Sequence, residues 1–377
     1  MARLLMYFPE NDLALATGTA QYTPPPAAAQ LHRAGEALPL WMAGAGDRFA
    51  CSGINAHWLD DMCRTFDIKD VDVYDHRDTR LVASPWGWSA ASRRALADTG
   101  YPMAQMPDDD ALHRLRELSH RRTAAQLAVA VAARVPFAVA PPAVEAREAA
   151  EVDDFVRTHA PVIAKAPWSS SGRGLVRSRN MPPEVFLQQT AGIIRRQGSV
   201  MLEQELDKTS DFALLLEADG AGGLRRCGVS VFDTNARGGY TANALAAQAE
   251  LTARVDAACG GRFEAIAEAV EHALPGILGD YRGPLGVDML VAADGTIDAA
   301  VEVNLRHTMG FLALDFSRYL AEGAQGQLCV IPHPDAPAAG AIIDSHRLAG
   351  GMLDLVPWNP HFAFRASVFS KETQRQK

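Results

Sequence analysis

The stretch Gly286-Val287-Asp288-Met289-Leu290-Val291-Ala292-Ala293-Asp294-Gly295-Thr296-Ile297-Asp298-Ala299-Ala300-Val301-Glu302-Val303-Asn304-Leu305-Arg306 decides the fold. Asp294-Gly295 between two alternating runs is a strong hairpin signal. Along the second strand Ala300, Glu302, Asn304 and Arg306 project to one face, and Val301, Val303 and Leu305 to the other, because side chains alternate. With Asp294-Gly295-Thr296 as a three-residue loop, Ala293 faces Ile297, and counting back sets Asp288 opposite Glu302. Cross-strand neighbours lie about 4.5–5.5 Å apart, so two carboxylates placed there repel unless a cation sits between them. Asn304 adds a neutral oxygen. Two acids and an amide suit Mg²⁺, which keeps several waters and takes substrate phosphates as further ligands. Arg306, at the end of the row, offers a fixed cation to a phosphate or carboxylate. Spacing alone leaves open a plain polar hairpin face turned to solvent.

Upstream, residues 262–278 repeat apolar side chains at helical spacing, residues 200–206 and 212–216 are apolar runs, and residues 183–197 predict a helix. The strand predicted over residues 161–166 ends at Lys165 and is followed by Pro167-Trp168-Ser169-Ser170-Ser171-Gly172-Arg173-Gly174. A cation at a strand end ahead of small residues lets backbone N–H groups approach phosphate oxygens. By itself such a segment also fits an ordinary turn. It is not a Walker A loop, since no Gly-Lys pair occurs, and Gly44-Ala45-Gly46 lacks the third glycine of a dinucleotide fingerprint. Strand, loop, helix and two strands in that order suggest an α+β unit.

Nearer the start, residues 111–133 predict one long helix or two that bridge domains, and residues 144–158 a further helix. Short apolar runs at 4–8, 38–42, 71–74 and 81–83 predict buried strands of an α/β layer. Phe8-Pro9-Glu10-Asn11-Asp12 follows the first of them, where such sheets place ligands; its acids suit either an amine or a helix cap. Ser84-Pro85-Trp86-Gly87-Trp88-Ser89 also follows a strand, and its tryptophans suit substrate flanking or interdomain packing. From Leu328 the chain is rich in Pro and Gly, with apolar runs at 341–343 and 362–369, and is assigned to a trailing subdomain.

The 377 residues allow two or three domains, and 48% hydrophobic residues is globular composition. A net charge of −9 provides no field for a nucleic-acid backbone. The early residues do not match a signal peptide and no run reaches membrane-spanning length, so a cytoplasmic location without a membrane partner is expected. Five scattered cysteines without a CxxC pair fit reduced thiols. His57, His76 and His120 have no partner at metal-ligand spacing.

Taken together over residues 118–320, these parts resemble the ATP-grasp superfamily. The resemblance implies an α/β N-terminal domain followed by a two-subdomain α+β ATP-grasp fold. The boundaries are 1–117, 118–199 for the small subdomain with its bridging helix, 200–327 for the large one, and 328–377 for the tail. It implies Asp288, Glu302 and Asn304 as ligands of one or two Mg²⁺, with Mn²⁺ as a substitute. Lys165 and the loop Ser169, Ser170, Ser171, Gly172, Arg173 and Gly174 are implied phosphate ligands. Glu203, with the backbone near Gln204 and Leu206, is similar to the adenine-binding hinge, and Asp211 to the ribose-binding acid. Arg121 stands where a lysine commonly reaches the α-phosphate. Gly286-Val287 replaces the basic residue often found before the metal Asp, so Arg237 in the loop 233–243 is the candidate to serve the transferred phosphate, with Arg306; a solvated loop is the other reading of that segment. The implied activity joins a small-molecule carboxylate to an amine through an acyl phosphate, releasing ADP and phosphate. A small-molecule kinase or a non-catalytic ATP sensor on the same scaffold is the alternative, and a homodimer is the default assembly.

Overall fold

The computed structural model describes residues 1–76, 78, 80–169, 172–235 and 238–369. Near the N-terminus, β1 (Arg3–Met6), β2 (Arg48–Ala50), β3 (Asp72–Val73) and β4 (Val82–Pro85) form a parallel sheet in the order β3-β2-β1-β4. The expected strand at 38–42 is instead a 3₁₀ helix, Leu38–Met42. All five of its residues are buried, and a run buried on every side carries no period to separate helix from strand. Pro39, with no N–H to give a sheet, favours the helical turn.

Residues 111–133 resolve into two helices, Asp109–Leu118 and Arg122–Ala132. Asp108 starts the first, its carboxylate accepting the Ala111 N–H at 2.8 Å. Residues 144–158 are not one helix: β6 (Ala143–Ala146) comes first, then the helix Ala149–His159. With β5 (Ala138–Val139) before it and β7 (Val162–Lys165), β8 (Leu175–Arg177) and β9 (Val200–Gln204) after it, β6 is an edge strand of the sheet β6-β9-β7-β8. The helix Pro183–Gln197 covers that sheet through Phe186 and Ile193.

The remaining strands are β10 (Lys208–Asp219), β11 (Leu224–Thr234), β12 (Tyr240–Leu245), β13 (Arg282–Ala292), β14 (Ile297–Asn304), β15 (Gln325–Pro332), β16 (Ile342–Asp344), β17 (Arg347–Asp354) and β18 (Phe362–Phe369). They make one sheet with β5, in the order β16-β17-β18-β15-β12-β11-β10-β13-β14-β5. The segment after Leu328 therefore extends the large sheet and forms no layer of its own. On one face Leu285, Val287, Met289 and Val291 of β13 pack with the helices Arg122–Ala132 and Phe263–Leu278. That covered face leaves the alternate side chains, Asp288 among them, to the other side. None of the described helices is long and apolar enough to cross a membrane.

Candidate functional site

The β13–β14 hairpin pairs Asp288 with Glu302, Val287 with Val303 and Gly286 with Asn304. The pairing of the acids is the expected one, but the turn is not. Val291 pairs with Ile297, the loop is residues 293–295, and Gly295 takes its positive φ of 83°. An irregularity between Asp288 and Leu290 restores the register at the acids. It also turns Ala300 inward: Ala299 and Ala300 both lie in the apolar cluster, so Ala300 leaves the polar row.

Within that row Asn304 Nδ2 donates to Asp288 Oδ2 at 3.1 Å, and Arg306 Nη2 donates to Asn304 Oδ1 at 2.7 Å. Desolvation and the neighbouring Glu302 push the Asp288 carboxyl up to about 8, against the opposing effects of Arg306 and Asn304. At neutral pH the Asp288 carboxyl therefore keeps its proton unless a cation takes its place. The fit of the row to Mg²⁺ rests on this and on the hard oxygens of Asp288, Glu302 and Asn304. Among the described residues no three His, Cys, Asp or Glu side chains are grouped to hold a metal.

Facing the row, β7 delivers Lys165, 5% exposed. Its ammonium pairs with Glu203 of β9 and lies 3.5 Å from the Val301 carbonyl, joining the small sheet to β14. Arg121 is buried beside it. Its Nε donates to the Ala166 carbonyl at 3.1 Å, and its Nη2 reaches Ser169 Oγ at 3.2 Å and Glu302 Oε1 at 3.1 Å. Arg121 thus clamps the start of the phosphate-loop candidate to the acidic row. The loop turns back through Gly172 (φ 70°) and Gly174 (φ 85°), where Ala166 N–H meets the Gly174 carbonyl at 2.8 Å. A Cβ on Gly172 would fall 2.5–2.7 Å from backbone atoms of Gly238 and Gly239, so only glycine permits this approach of the two loops. Arg173 is exposed. Ser170, Ser171 and Arg237 lie outside the described residues.

At the hinge candidate, the N–H groups of Gln204 and Glu205 bond to the carbonyls of Pro142 and Pro161 at 3.2 and 2.8 Å. Gln204 is exposed and Leu206 half-buried. Asp211 pairs with Lys208 and accepts from Thr234 Oγ1 at 3.0 Å; it shares the sheet face of Asp288, whose β10 neighbour is Ala213.

Two features escaped the sequence reading. Arg306 is fastened by Asp12, with Nε–oxygen distances of 3.0 Å and Nη2–Oδ2 at 2.6 Å, across 294 residues. Gly87 bridges to Arg306, and His307 N–H donates to the Trp86 carbonyl at 2.7 Å. The loops after β1 and β4 therefore meet the end of the acidic row. The second is Asp298, 4% exposed, whose carboxyl is pushed up to about 6 by burial and Glu203 against the pull of Lys165. Arg306 also lines a cleft of about 930 Å³, together with Trp86, Trp88, Tyr281 and Arg282.

No protein-family profile matches the chain, and no curated protein does. Among solved structures, a biotin carboxylase–β,γ-ATP complex from Campylobacter jejuni superposes with a TM-score of 0.55 at 12% identity, over 100% of this chain and 90% of that one. An N5-carboxyaminoimidazole synthetase from Staphylococcus aureus complexed with ADP gives 0.49, and an L-amino acid ligase from Bacillus licheniformis 0.47. Each of these is 12% identical and covers 100% of this chain and 95% of its own. The first of these similarities shows the fold.

Proposed function

From the ATP-grasp fold that this chain has, we propose an ATP-dependent ligase that joins a carboxylate to an amine, of amino-acid or peptide type. The carrying observation is the row Asp288, Glu302 and Asn304 set against Lys165 from a second sheet and Arg121 from the head of the helix Arg122–Ala132, with Arg306 at its end. In the proposed reaction a substrate carboxylate oxygen attacks the γ-phosphorus and the bond to ADP breaks. The neutral amine then attacks the acyl carbon, the bond from that carbon to the phosphate oxygen breaks, and inorganic phosphate leaves with the proton given up by the amine.

Anion attacking anion is the physical obstacle. Mg²⁺, held by Asp288, Glu302 and Asn304 when bound, would neutralise phosphate oxygens. Lys165 would turn from Glu203 to the phosphates, and Glu203 and the hinge near Gln204 and Leu206 would meet the adenine, with Asp211 at the ribose. Arg306 would stabilise charge on the transferring group, oriented by Asp12. Ser169 and the glycines after it would keep water from the acyl phosphate. The N-terminal layer, residues 1–117, would present one substrate to the subdomains 118–199 and 200–327.

Mg²⁺-dependent ADP and free-phosphate formation, measured with pooled amino acids, small peptides and carboxylates, tests the reading. Matched ADP and phosphate, stimulated by acid and amine together and lost in Glu302→Gln, is the expected result. ADP without phosphate would convert the reading to a kinase; full turnover in Glu302→Gln would remove the metal assignment.

A further inference from the structure

We propose that the cleft beside Arg306 is the site of the amine substrate, and that this substrate is a short apolar peptide, about four residues long, with a free C-terminal carboxylate. This rests on the ligase reading and names its second substrate.

The cleft of about 930 Å³ is walled by the loop after β4, the helix Asp109–Leu118 and the far end of the large sheet. Sites for drug-sized ligands span roughly 300–1,000 Å³, so a single amino acid would leave most of this one to water. It adjoins the acidic row. The pairing of β14 with β13 ends at Asn304 and Gly286. The residues of β13 before Gly286 run on along the cleft, with Arg282 and Pro284 on the face that carries Asp288. Leu305 lines both the cleft and the small cavity formed by Asp12, Ser169, Glu302 and Asn304.

Its walls set the chemistry of the ligand. Trp88, Leu115, Leu118 and Pro284 are half-buried there and Val82 is 46% exposed; apolar surface gathered in a cleft marks a ligand groove. Of the five arginines that line it, Arg3 pairs with Asp47, Arg114 with Asp280, Arg225 with Glu217 and Arg306 with Asp12. Among the described residues Arg282 has no ion-pair partner. Asp219, opposite it in the sheet, spends its Oδ1 on the N–H groups of Ala221 and Gly223. An open guanidinium beside an apolar wall fits a carboxylate on an apolar body.

Length follows from the register. Arg282 stands four residues before Gly286, the partner of Asn304, which is about 14 Å at 3.4 Å per residue. An extended peptide covers about 3.3–3.6 Å per residue. A tetrapeptide with its carboxylate on Arg282 therefore brings its N-terminal amine to the end of the acidic row, where the acyl phosphate would form, while its side chains cover Trp88 and Leu115. A single amino acid held by Arg282 falls short of the row.

The test is calorimetric titration of the full-length protein, with and without Mg·AMPPNP, using Ala-Leu-Phe-Ala, its C-terminal amide, tetraglycine and free leucine. Ala-Leu-Phe-Ala is expected to bind, the amide roughly 5-fold more weakly, and tetraglycine and leucine at least about 10-fold more weakly. In Arg282→Gln the acid and the amide should bind alike, and Trp88→Ala should weaken both roughly 10-fold. With Mn²⁺ in place of Mg²⁺, the N-terminal alanine methyl signal of the peptide should broaden more than the C-terminal one. Wild-type protein that binds the tetrapeptide no better than leucine or tetraglycine, or binds acid and amide alike, overturns the proposal. So do equal or reversed broadening of the two methyl signals and a folded Arg282→Gln protein that still separates acid from amide. Circular dichroism checks folding, and the wild-type comparisons decide the matter where a variant fails to fold. Mg·ATP binding measured alone reports separately on the ligase reading: its absence with peptide binding intact would sink that reading and leave the cleft a peptide site.

Discussion

Replacing Asp298 by Asn should stabilise the protein at neutral pH and do less in acid. Asp298 lies between Leu290 of β13 and Val139 of β5, and its Oδ1 accepts the Ala300 N–H at 3.1 Å. Burial is the main reason its carboxyl titrates near about 6 rather than 3.8; Glu203 adds to the effect and Lys165 opposes it. A raised acid costs stability as pH climbs, because the unfolded chain ionises first: nothing is lost below the ordinary value, and the full cost is reached above the folded one. At 1.36 kcal/mol per tenfold change in acidity, the cost is about 3 kcal/mol at pH 8 and about half that at pH 5. Asparagine keeps the shape and the acceptor for Ala300 without the charge. Asp298→Asn should therefore melt a few degrees higher at pH 8, with roughly half that gain at pH 5. Removing a negative neighbour of Lys165 should also tighten Mg·ATP. Thermal melts by circular dichroism at the two pH values, with nucleotide titrations, give both readouts. An unchanged melting temperature at pH 8, or an equal gain at both pH values, would refute the reasoning.

Lys165→Met should strand Glu203 as a buried charge and cost about 3–5 kcal/mol in denaturant melts; Lys165→Met/Glu203→Leu should recover most of that while Mg·ATP binding stays lost in both. Arg306→Lys gives up the two-point grip on Asp12 and the bond to Asn304. Steady-state kinetics should show kcat down by about 10²-fold with the KM for Mg·ATP little changed. Gly172→Ala should raise that KM several-fold, because its methyl group would collide with the Gly238 backbone. Gly222→Ala, with φ of 87° but open space around it, shares the backbone strain without the collision and should bind Mg·ATP normally.

Legibility in the sequence followed the range of each interaction. The acidic row could be found because alternation and a Gly turn are local, and the helices Pro183–Gln197 and Phe263–Leu278 because their periodicity is sustained. The hairpin count reached the right pairing of Asp288 with Glu302 through a turn placed one residue late, since no composition signal marked the irregularity that compensates. β2, three residues long, and β17, interrupted by Gly350-Gly351, offered too little pattern to be seen. Asp12 could not be matched to Arg306, nor Arg121 to Glu302, because only the assembled sheets bring such distant residues together.

The Asp12–Arg306 contact also orders the assembly of a nascent chain. By residue 85 all four strands of the N-terminal sheet have been synthesised, but their buried cluster is completed by Phe316, Leu355 and Phe364, so the layer finishes packing only when the far end of the chain arrives. Asp12 then waits for Arg306, which follows both strands of the acidic hairpin. A ribosome stalled before residue 302 would carry an N-terminal sheet without those packing partners and a β13 whose Asp288 has no facing acid. The acidic row and the core of the N-terminal layer are thus completed by the same late segment of chain.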